Sequence, residues 1–334
     1  MTTAALVPAI EPVAADDTVA MDGWFALLLD SHTHDTPELP PPCPVGHARR
    51  FSWPGHEQRA WIVRAGVDVV AAASMTLPQR DNLENGFAHV LVAPQCRRRG
   101  IGRRMLGHVV AQAGAAGRRR LALGTGAAPD PGSAFLRAAG ARLGMVEFRR
   151  RLALPPTDPQ THRDLRAAAE RASPGYRLVQ WTGPTPPEWL DDLAVLIARI
   201  STDAPMGELT MEARHWDARR VRERDAAAVA AGVRSVVTAA QAPDGHLVAY
   251  TDAATCVVRD GYAMQGDTLV APAHRGHRLG LRLKLANLEL LLRDAPEVRA
   301  IDTFNAADNR WMVAVNEAMG FVPVQRIEDW ELRV

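Results

Sequence analysis

The sequence predicts an α/β protein in which one succession of strands and helices occurs twice. Three observations predict it. A chain of 334 residues is long enough for about two ordinary domains. Its composition, 47% hydrophobic and 23% charged, is globular and supplies apolar material for more than one core. Two distant stretches, "VLVAPQCRRRGIG" and "TLVAPAHRGHRLG", also share one setting: a strand stopped by proline, a basic glycine-bearing turn, then an apolar helix.

In the first half, "ALVPAI" reads as an opening strand and "DDTVAMDGWFALLLDSH" as a helix with an Asp cap and apolar residues at helical spacing. "AWIVRAGVDVVAAASMTL" reads as a hairpin turning near Ala65 and Gly66, and "FAHVLVAP" as a strand ended by Pro94. A helix from about Ile101 to Ala116, strand "RLALGTG", short helix "GSAFLRAAG" and strand "VEFRRRLAL" complete it.

The segment "ALPPTDPQTHRDLRAAAERASPG", with prolines at both ends, reads as a linker carrying a short helix. The division expected is 1–154, a linker at 155–174, and 175–334. After it come strand "YRLVQW", helix "PEWLDDLAVLIARI", a helical region "MEARHWDARRVRERDAAAVAAG", and strands "SVVTAAQ" and "LVAYTDAATCVV". Strand "QGDTLVAP", a helix from Leu279 to Arg293, strand "AIDTF", helix "NRWMVAVNEAMG" and terminal strands repeat the earlier order.

The formal net charge of +1 and pI near 7.9 argue against a nucleic-acid binder, which needs a strongly basic face. Cys43, Cys96 and Cys256 form no CxxC pair, so neither a disulfide framework nor a zinc site is indicated. No apolar run approaches the roughly 20 residues of a membrane-crossing helix, and the N-terminus lacks a secretory pattern. A soluble, cytoplasmic protein without metal is the expectation. Its oligomeric state cannot be read.

A helix start exposes backbone N–H groups at the positive end of its dipole, and glycine lets an anion approach them. A pyrophosphate suits such a turn. The spacing is neither GxGxxG nor GxxxxGK[ST]; it is R-x-x-G-x-G at Arg97, Gly100 and Gly102, and at Arg275 and Gly280 with Arg278 in the middle glycine's place. That pattern after a "VxVxP"-like strand resembles the coenzyme A pyrophosphate loop of the GNAT superfamily of acyltransferases. The order of elements agrees in both halves, so the resemblance covers nearly the whole chain as a tandem arrangement, as in mycothiol synthases.

The resemblance implies two domains, each a mixed, mostly antiparallel sheet flanked by helices. It implies acetyl-CoA as cofactor, with pantetheine pairing along Val90, Leu91 and Val92, and along Thr268, Leu269 and Val270. The pyrophosphate would lie on Arg97, Arg98, Arg99, Gly100, Ile101, Gly102 and Arg103, and on Arg275, Gly276, His277, Arg278, Leu279, Gly280 and Leu281. The family's later motif, an Asn opening a helix, a Tyr seven residues on and a "GF" turn, is met in the second half by Asn309, Gly320 and Phe321, with Asn316 in the tyrosine's place. In the first half Pro129 and Leu136 hold the Asn and Tyr positions. If residue 278 must adopt φ > 0, a non-glycine there costs about 1–2 kcal/mol.

Acyl transfer to an amine needs orientation, a base and a proton for the departing thiolate. Asp267 on the second strand is the candidate base, against an edge or cap role, and Tyr262 the candidate acid, against simple packing. Asn316 can hydrogen-bond the sulfur or substrate but is no proton donor of the tyrosine kind. His89 stands at the Asp267 position of the first half, with Glu84 before it; a lone strand histidine is ordinarily structural. Lys284, the only lysine, either reaches a CoA phosphate or is a solvated helix lysine. "SHTHD" reads as a surface loop, and "MGELTMEARHWDARRVRERD" as an exposed salt-bridged helix, in which Glu208, Glu212 and Asp217 are weak candidates for holding a cationic amine. The expected function is acetyl transfer from acetyl-CoA to a primary amine of a small molecule, more readily in the second half. The alternative is a non-catalytic CoA-binding or sensory protein.

Overall fold

The computed structural model of the chain describes residues 9–126, 131–156, 158–256 and 261–334. The elements follow the expected order. They are β1 (Ile10–Pro12), α1 (Thr18–Asp35), α2 (Pro44–Ala48), β2 (His56–Ala65), β3 (Asp68–Pro78), β4 (Asn85–Val92), α3 (Ile101–Ala115), β5 (Arg120–Thr125), α4 (Pro131–Ala138) and β6 (Arg142–Ala153). Then come α5 (Pro159–Ala172), β7 (Arg177–Thr182), α6 (Leu190–Asp203), α7 (Ala218–Ala230), β8 (Val233–Gln241), β9 (Leu247–Cys256), β10 (Tyr262–Val270), α8 (Leu279–Asp294), β11 (Ala300–Ala306), α9 (Arg310–Ala318) and β12 (Val322–Arg333). Most of the expected opening strand, Ala5 to Pro8, and Pro129 lie outside the described residues.

Two compact units result, and they do not follow the linear halves. Unit 1 holds the chain up to Thr125, then Pro131–Leu143 and Asp329–Val334; unit 2 includes Gly144–Glu328. The strand order is β1-β2-β3-β4-β5-β12 in unit 1 and β12-β6-β11-β10-β9-β8-β7 in unit 2. The cause lies in the two longest strands, β6 and β12, each of which gives residues to both units. The pairings of β4 with β5 and of β10 with β11 are parallel, whereas the hairpin partners of β4 and β10 run antiparallel to them.

Each sheet is covered on both faces. In unit 1 the cluster around Met105, Val109, Leu121 and Trp330 lies on the α3 side, and Trp24, Leu27, Ile62 and Ala72 lie under α1. In unit 2, Leu285, Leu288, Ile301 and Phe321 form the core beneath α8 and α9, while Leu193, Ile197, Val221 and Tyr250 form the one beneath α6 and α7. Each fully buried aliphatic side chain of this kind contributes about 1.5–3 kcal/mol.

Helix α5 belongs to unit 2: Asp158 caps it by accepting from Gln160 and Thr161, and its Ala169 is wholly buried in the α8 core. The linker helix is therefore part of a domain. Two other expectations are corrected. "SHTHD" is the last turn of α1, with Ser31 buried, because the helical spacing of α1 continues through it. The long charged helix is shorter than expected and begins at Ala218. Asp217 caps it there, accepting from Arg220, and Gly207 at φ 57 passes so close to the Gly144 carbonyl that a Cβ would stand 2.3 Å from the oxygen.

Candidate active site

In both units the central parallel pair comes apart at one end. β4 pairs with β5 from Asn85↔Arg120 to Ala88↔Leu123 and no further, while on its other side it stays paired with β3 as far as Val92↔Ala71. β10 pairs with β11 from Tyr262↔Ala300 to Met264↔Asp302 and no further, yet stays paired with β9 as far as Val270↔Ala249. Val90 to Val92 and Thr268 to Val270 thus have no register partner on the β5 and β11 sides. Apart from the Val92 and Val270 carbonyls, which accept from arginine side chains, their backbone groups are open to pairing with an extended ligand there.

The turn after each strand has one backbone shape. In unit 1, Arg98 and Gly100 have φ 64 and 83; in unit 2, Gly276 and Arg278 have φ 86 and 53. Each loop therefore carries one glycine and one arginine at its two left-handed positions, in opposite order. Residue 278 does adopt φ > 0, so the expected penalty for a non-glycine applies there, and it applies equally to Arg98. The helices then start at Ile101 and Leu279, leaving the N–H groups of their first residues without helical acceptors. A Cβ on Gly102 would lie 3.6 Å from Val92, and one on Gly280 would lie 3.8 Å from Thr268, so protein contacts alone would admit alanine at either. A polar cradle floored by glycine beside an unpaired strand edge fits an acyl-CoA pyrophosphate and pantetheine.

Arg97 and Arg275 hold this cradle instead of lining it. The Arg97 Nε donates to the Val92 carbonyl at 3.1 Å and Nη1 to Asp35 at 2.8 Å, and this ion pair lowers the Asp35 pKa. The Arg275 Nε donates to the Val270 carbonyl at 3.1 Å and Nη2 to Asp203 at 2.8 Å. Each arginine so ties the end of the open strand to the end of an early helix. Arg98, Arg99, Arg103, His277 and Arg278 are exposed around the turns. Asn309, expected at the cofactor, caps α9, its side chain accepting from Met312 N–H at 3.2 Å.

The open end of β10 differs from that of β4. Its register with β9 shifts between Gln265 and Thr268, whereas β4 pairs with β3 without a shift from Phe87 to Val92. The bulge is built around Asp252 of β9. Gly266 is needed there because a Cβ would stand 2.2 Å from an Asp252 carboxylate oxygen, and the Asp267 N–H donates to that carboxylate at 2.9 Å. The Tyr250 hydroxyl donates to the Asp267 carboxylate at 2.9 Å, and Thr251 Oγ1 donates to the Asp267 carbonyl at 3.0 Å. Burial and then the Asp267 charge push the Asp252 pKa up to about 7. Burial and the same two carboxylates hold the Tyr250 phenol protonated, well above its ordinary value.

Of the expected catalytic residues, Asp267 lies in this cluster. Asn316 is fully buried, donating from Nδ2 to Asn305 of β11 at 2.6 Å, with its Oδ1 unpartnered. Tyr262 stands at the paired end of β10, with the Arg151 guanidinium 5.1 Å from its ring centroid, away from the bulge. Lys284 is neither solvated nor free to reach a phosphate. It is 1% exposed, its Nζ lies 5.1 Å from the Phe321 ring centroid, and burial lowers its pKa to about 7. Asp252 and Tyr250 were not singled out from sequence. The available signal was the polar run Tyr250-Thr251-Asp252 inside the mostly apolar strand "LVAYTDAATC".

Several matching positions of unit 1 are apolar, and the place of Asp267 is taken by His89. Ala72 faces Leu91 as Tyr250 faces Leu269, and Ala73 faces Val90 as Thr251 faces Thr268. Leu106 of α3 and Leu136 of α4 hold the places of Lys284 and Asn316, and both are buried. His89 is exposed on β4, with its pKa lowered by the surrounding protein and by Arg50. Glu84 is taken up in ion pairs with Arg119 and Arg120. Among the described residues no cluster of three metal-ligating side chains occurs, and no helix is long and apolar enough to cross a membrane.

Residues 23–140 match the family model described as the acetyltransferase (GNAT) family. Among solved structures, a tandem GNAT protein from the clavulanic acid biosynthesis pathway is 32% identical, with 97% of this chain and 98% of that one aligned at a TM-score of 0.80. The chain belongs to the GNAT family. It is a tandem member, and its fold is that of acyl-CoA-dependent acyltransferases. A GCN5-related N-acetyltransferase from Sphaerobacter thermophilus (16% identity, 97% and 95% covered, TM-score 0.65) shares the fold. So does the Saccharomyces cerevisiae N-myristoyltransferase (12% identity, 98% and 80% covered, TM-score 0.60). No curated protein matches the sequence.

Proposed function

We propose that this GNAT protein transfers an acetyl group from acetyl-CoA to a primary amine of a small molecule, and that the chemistry takes place at the β10 bulge of unit 2. The observation that carries this reading is the Asp252–Asp267–Tyr250 cluster at the point where β10 leaves β11. Acetyl-CoA supplies the activated acyl group. Everything else falls to the chain.

Strand β10 orients the thioester through its unpaired backbone, and the α8 turn neutralises the pyrophosphate with N–H groups and arginine. Asp252 takes the proton from the attacking amine. A base with a pKa of about 7 is about half ionised at neutral pH yet basic enough to accept a proton, which is the compromise general-base catalysis needs. The negative charge of Asp267 beside Asp252 favours proton uptake there, so the pair accepts a proton readily. Tyr250 fixes the Asp267 carboxylate by donating to it. The proton collected at Asp252 is the one the departing thiolate requires.

Unit 1 has the same cleft and cradle without the carboxylates of the bulge. Its role under this reading is to hold a second acyl-CoA. The test is calorimetric titration of acetyl-CoA into the full chain, followed by thiol release against a panel of amines. Binding with turnover that Asp252→Asn abolishes supports the proposal. Binding with no turnover on any amine favours a CoA-holding protein, and turnover unchanged in both Asp252→Asn and Asp267→Asn removes the mechanism.

A further inference from the structure

We propose that unit 1 binds a carboxylate-bearing ligand between α1 and the open end of β4, with Arg50 as the group that recognises the anion. Arg50 lies in the turn Arg50–Ser52, with its guanidinium carbon 4.0 Å from the Trp24 ring centroid and its Nε donating to the His47 carbonyl at 3.3 Å. It is half-buried, and among the described residues no carboxylate stands within ion-pairing reach of it. Other arginines of this unit are treated differently: Arg64 meets Glu11, Arg97 meets Asp35 and Arg120 meets Glu84. A guanidinium withdrawn from water without a counter-ion is costly, and a bound carboxylate relieves that cost.

Its neighbours have unmet hydrogen-bonding capacity as well. Trp24 is fully buried and its indole N–H has no partner. His47 is 6% exposed; its Nε2 meets the Met21 carbonyl at 3.0 Å, and its Nδ1 has no partner. The two rings are 5.0 Å apart, so these groups and Arg50 form one cluster. Buried polar atoms without partners are rare in folded proteins, and several together mark a place where something else completes them.

The cluster adjoins the open strand β4. Leu91 packs into the same core as Trp24, and His89, two residues earlier on β4, shares its face. His89 also follows Ala88, the last residue paired with β5, and so stands at the mouth of the opening. Burial and the nearby Arg50 charge lower the His47 pKa, opposed by the Met21 carbonyl and the Asp22 carboxylate, and the protein around its ring and the same Arg50 charge lower that of His89. The site therefore presents one fixed cation among neutral rings. A planar carboxylate matches a guanidinium in charge and geometry. Given the reading of the cleft as an acyl-CoA site, on which this inference rests, that carboxylate is carried either at the far end of an acyl chain or on an acceptor.

The experiment uses the full chain as wild type, Arg50→Gln and Arg50→Lys, with folding of each checked by circular dichroism. Acetyl-CoA and malonyl-CoA are titrated calorimetrically; then CoA-saturated protein is titrated with glycine, β-alanine and glycylglycine and with their amides. If the acyl chain carries the anion, malonyl-CoA binds at one site at least tenfold more tightly than acetyl-CoA. Arg50→Gln removes that difference and Arg50→Lys keeps part of it. If the acceptor carries it, the amino acids bind the loaded protein, their amides do not, and the same variants order the same way. Acetyl-CoA binding with neither Arg50-dependent preference overturns the inference alone. Failure of acetyl-CoA to bind overturns the acyl-CoA reading of the cleft together with it.

Discussion

The open ends of β4 and β10 share a backbone and differ in chemistry. Both strands leave their parallel neighbour, both run into a turn with two left-handed residues, and both turns are tied down by an arginine that reaches the strand end and an early helix. Around β4, however, stand Ala72, Ala73, Leu106 and Leu136, where β10 is surrounded by Tyr250, Thr251, Lys284 and Asn316. The comparison teaches that the ligand cradle and the reacting groups are separable. A duplicated chain can keep the first, which is mostly backbone, and change the second one side chain at a time.

The largest expected effect that tests this contrast is on turnover. Asp252→Asn lowers kcat by about 10²–10⁴, the range for loss of a general base, while Ser74→Ala beside His89 leaves acyl transfer unchanged. Steady-state thiol release measures both; equal losses would mean that the two ends work alike. The pH profile of kcat/KM is the second test. Because Asp252 must be ionised to accept a proton and its pKa is raised to about 7, the rate falls below pH 7. Replacing Asp267 with Asn removes the neighbouring negative charge that, after burial, most raises the Asp252 pKa, and moves that limb to lower pH.

Stability gives a smaller signal. Lys284 is depressed to about 7 by burial, so between pH 7 and about 10.5 the unfolded chain holds a proton that the folded chain has released. Folding stability therefore rises with pH across that window. Lys284→Met, which makes the site resemble Leu106, flattens this slope and raises stability at pH 7 by about 1–4 kcal/mol. Denaturant melts at several pH values check it. The smallest effects are in the turns: Arg278→Gly and Arg98→Gly each relieve a left-handed residue and raise stability by about 0.5–1 kcal/mol, the two loops responding alike.

Several features were legible in the residues. The repeat of "LVAP" with a basic glycine turn located both cradles, because such a turn depends on local backbone conformation and on glycine and proline at fixed spacing. Asp267 was legible as a carboxylate on the second open strand. The roles of Arg97, Arg275 and Asn309 were not, because a side chain near an anion site can serve the ligand or the loop, and only its partners decide. Arg50 gave no signal for the same reason: it stands in no motif, and its lack of a counter-ion is a property of its surroundings.

By itself, the sequence determined the order of elements, the duplication and the positions of the two turns, since periodicity, proline and glycine act over a few residues. The tertiary structure alone decided the rest. Asp252 and Asp267 are brought together by strand pairing across a bulge, Lys284 is turned into the core by the register of α8, and β6 and β12 lend residues to both units. Such placements depend on contacts between residues far apart in the chain, and burial and neighbouring charge then set the chemistry of each group.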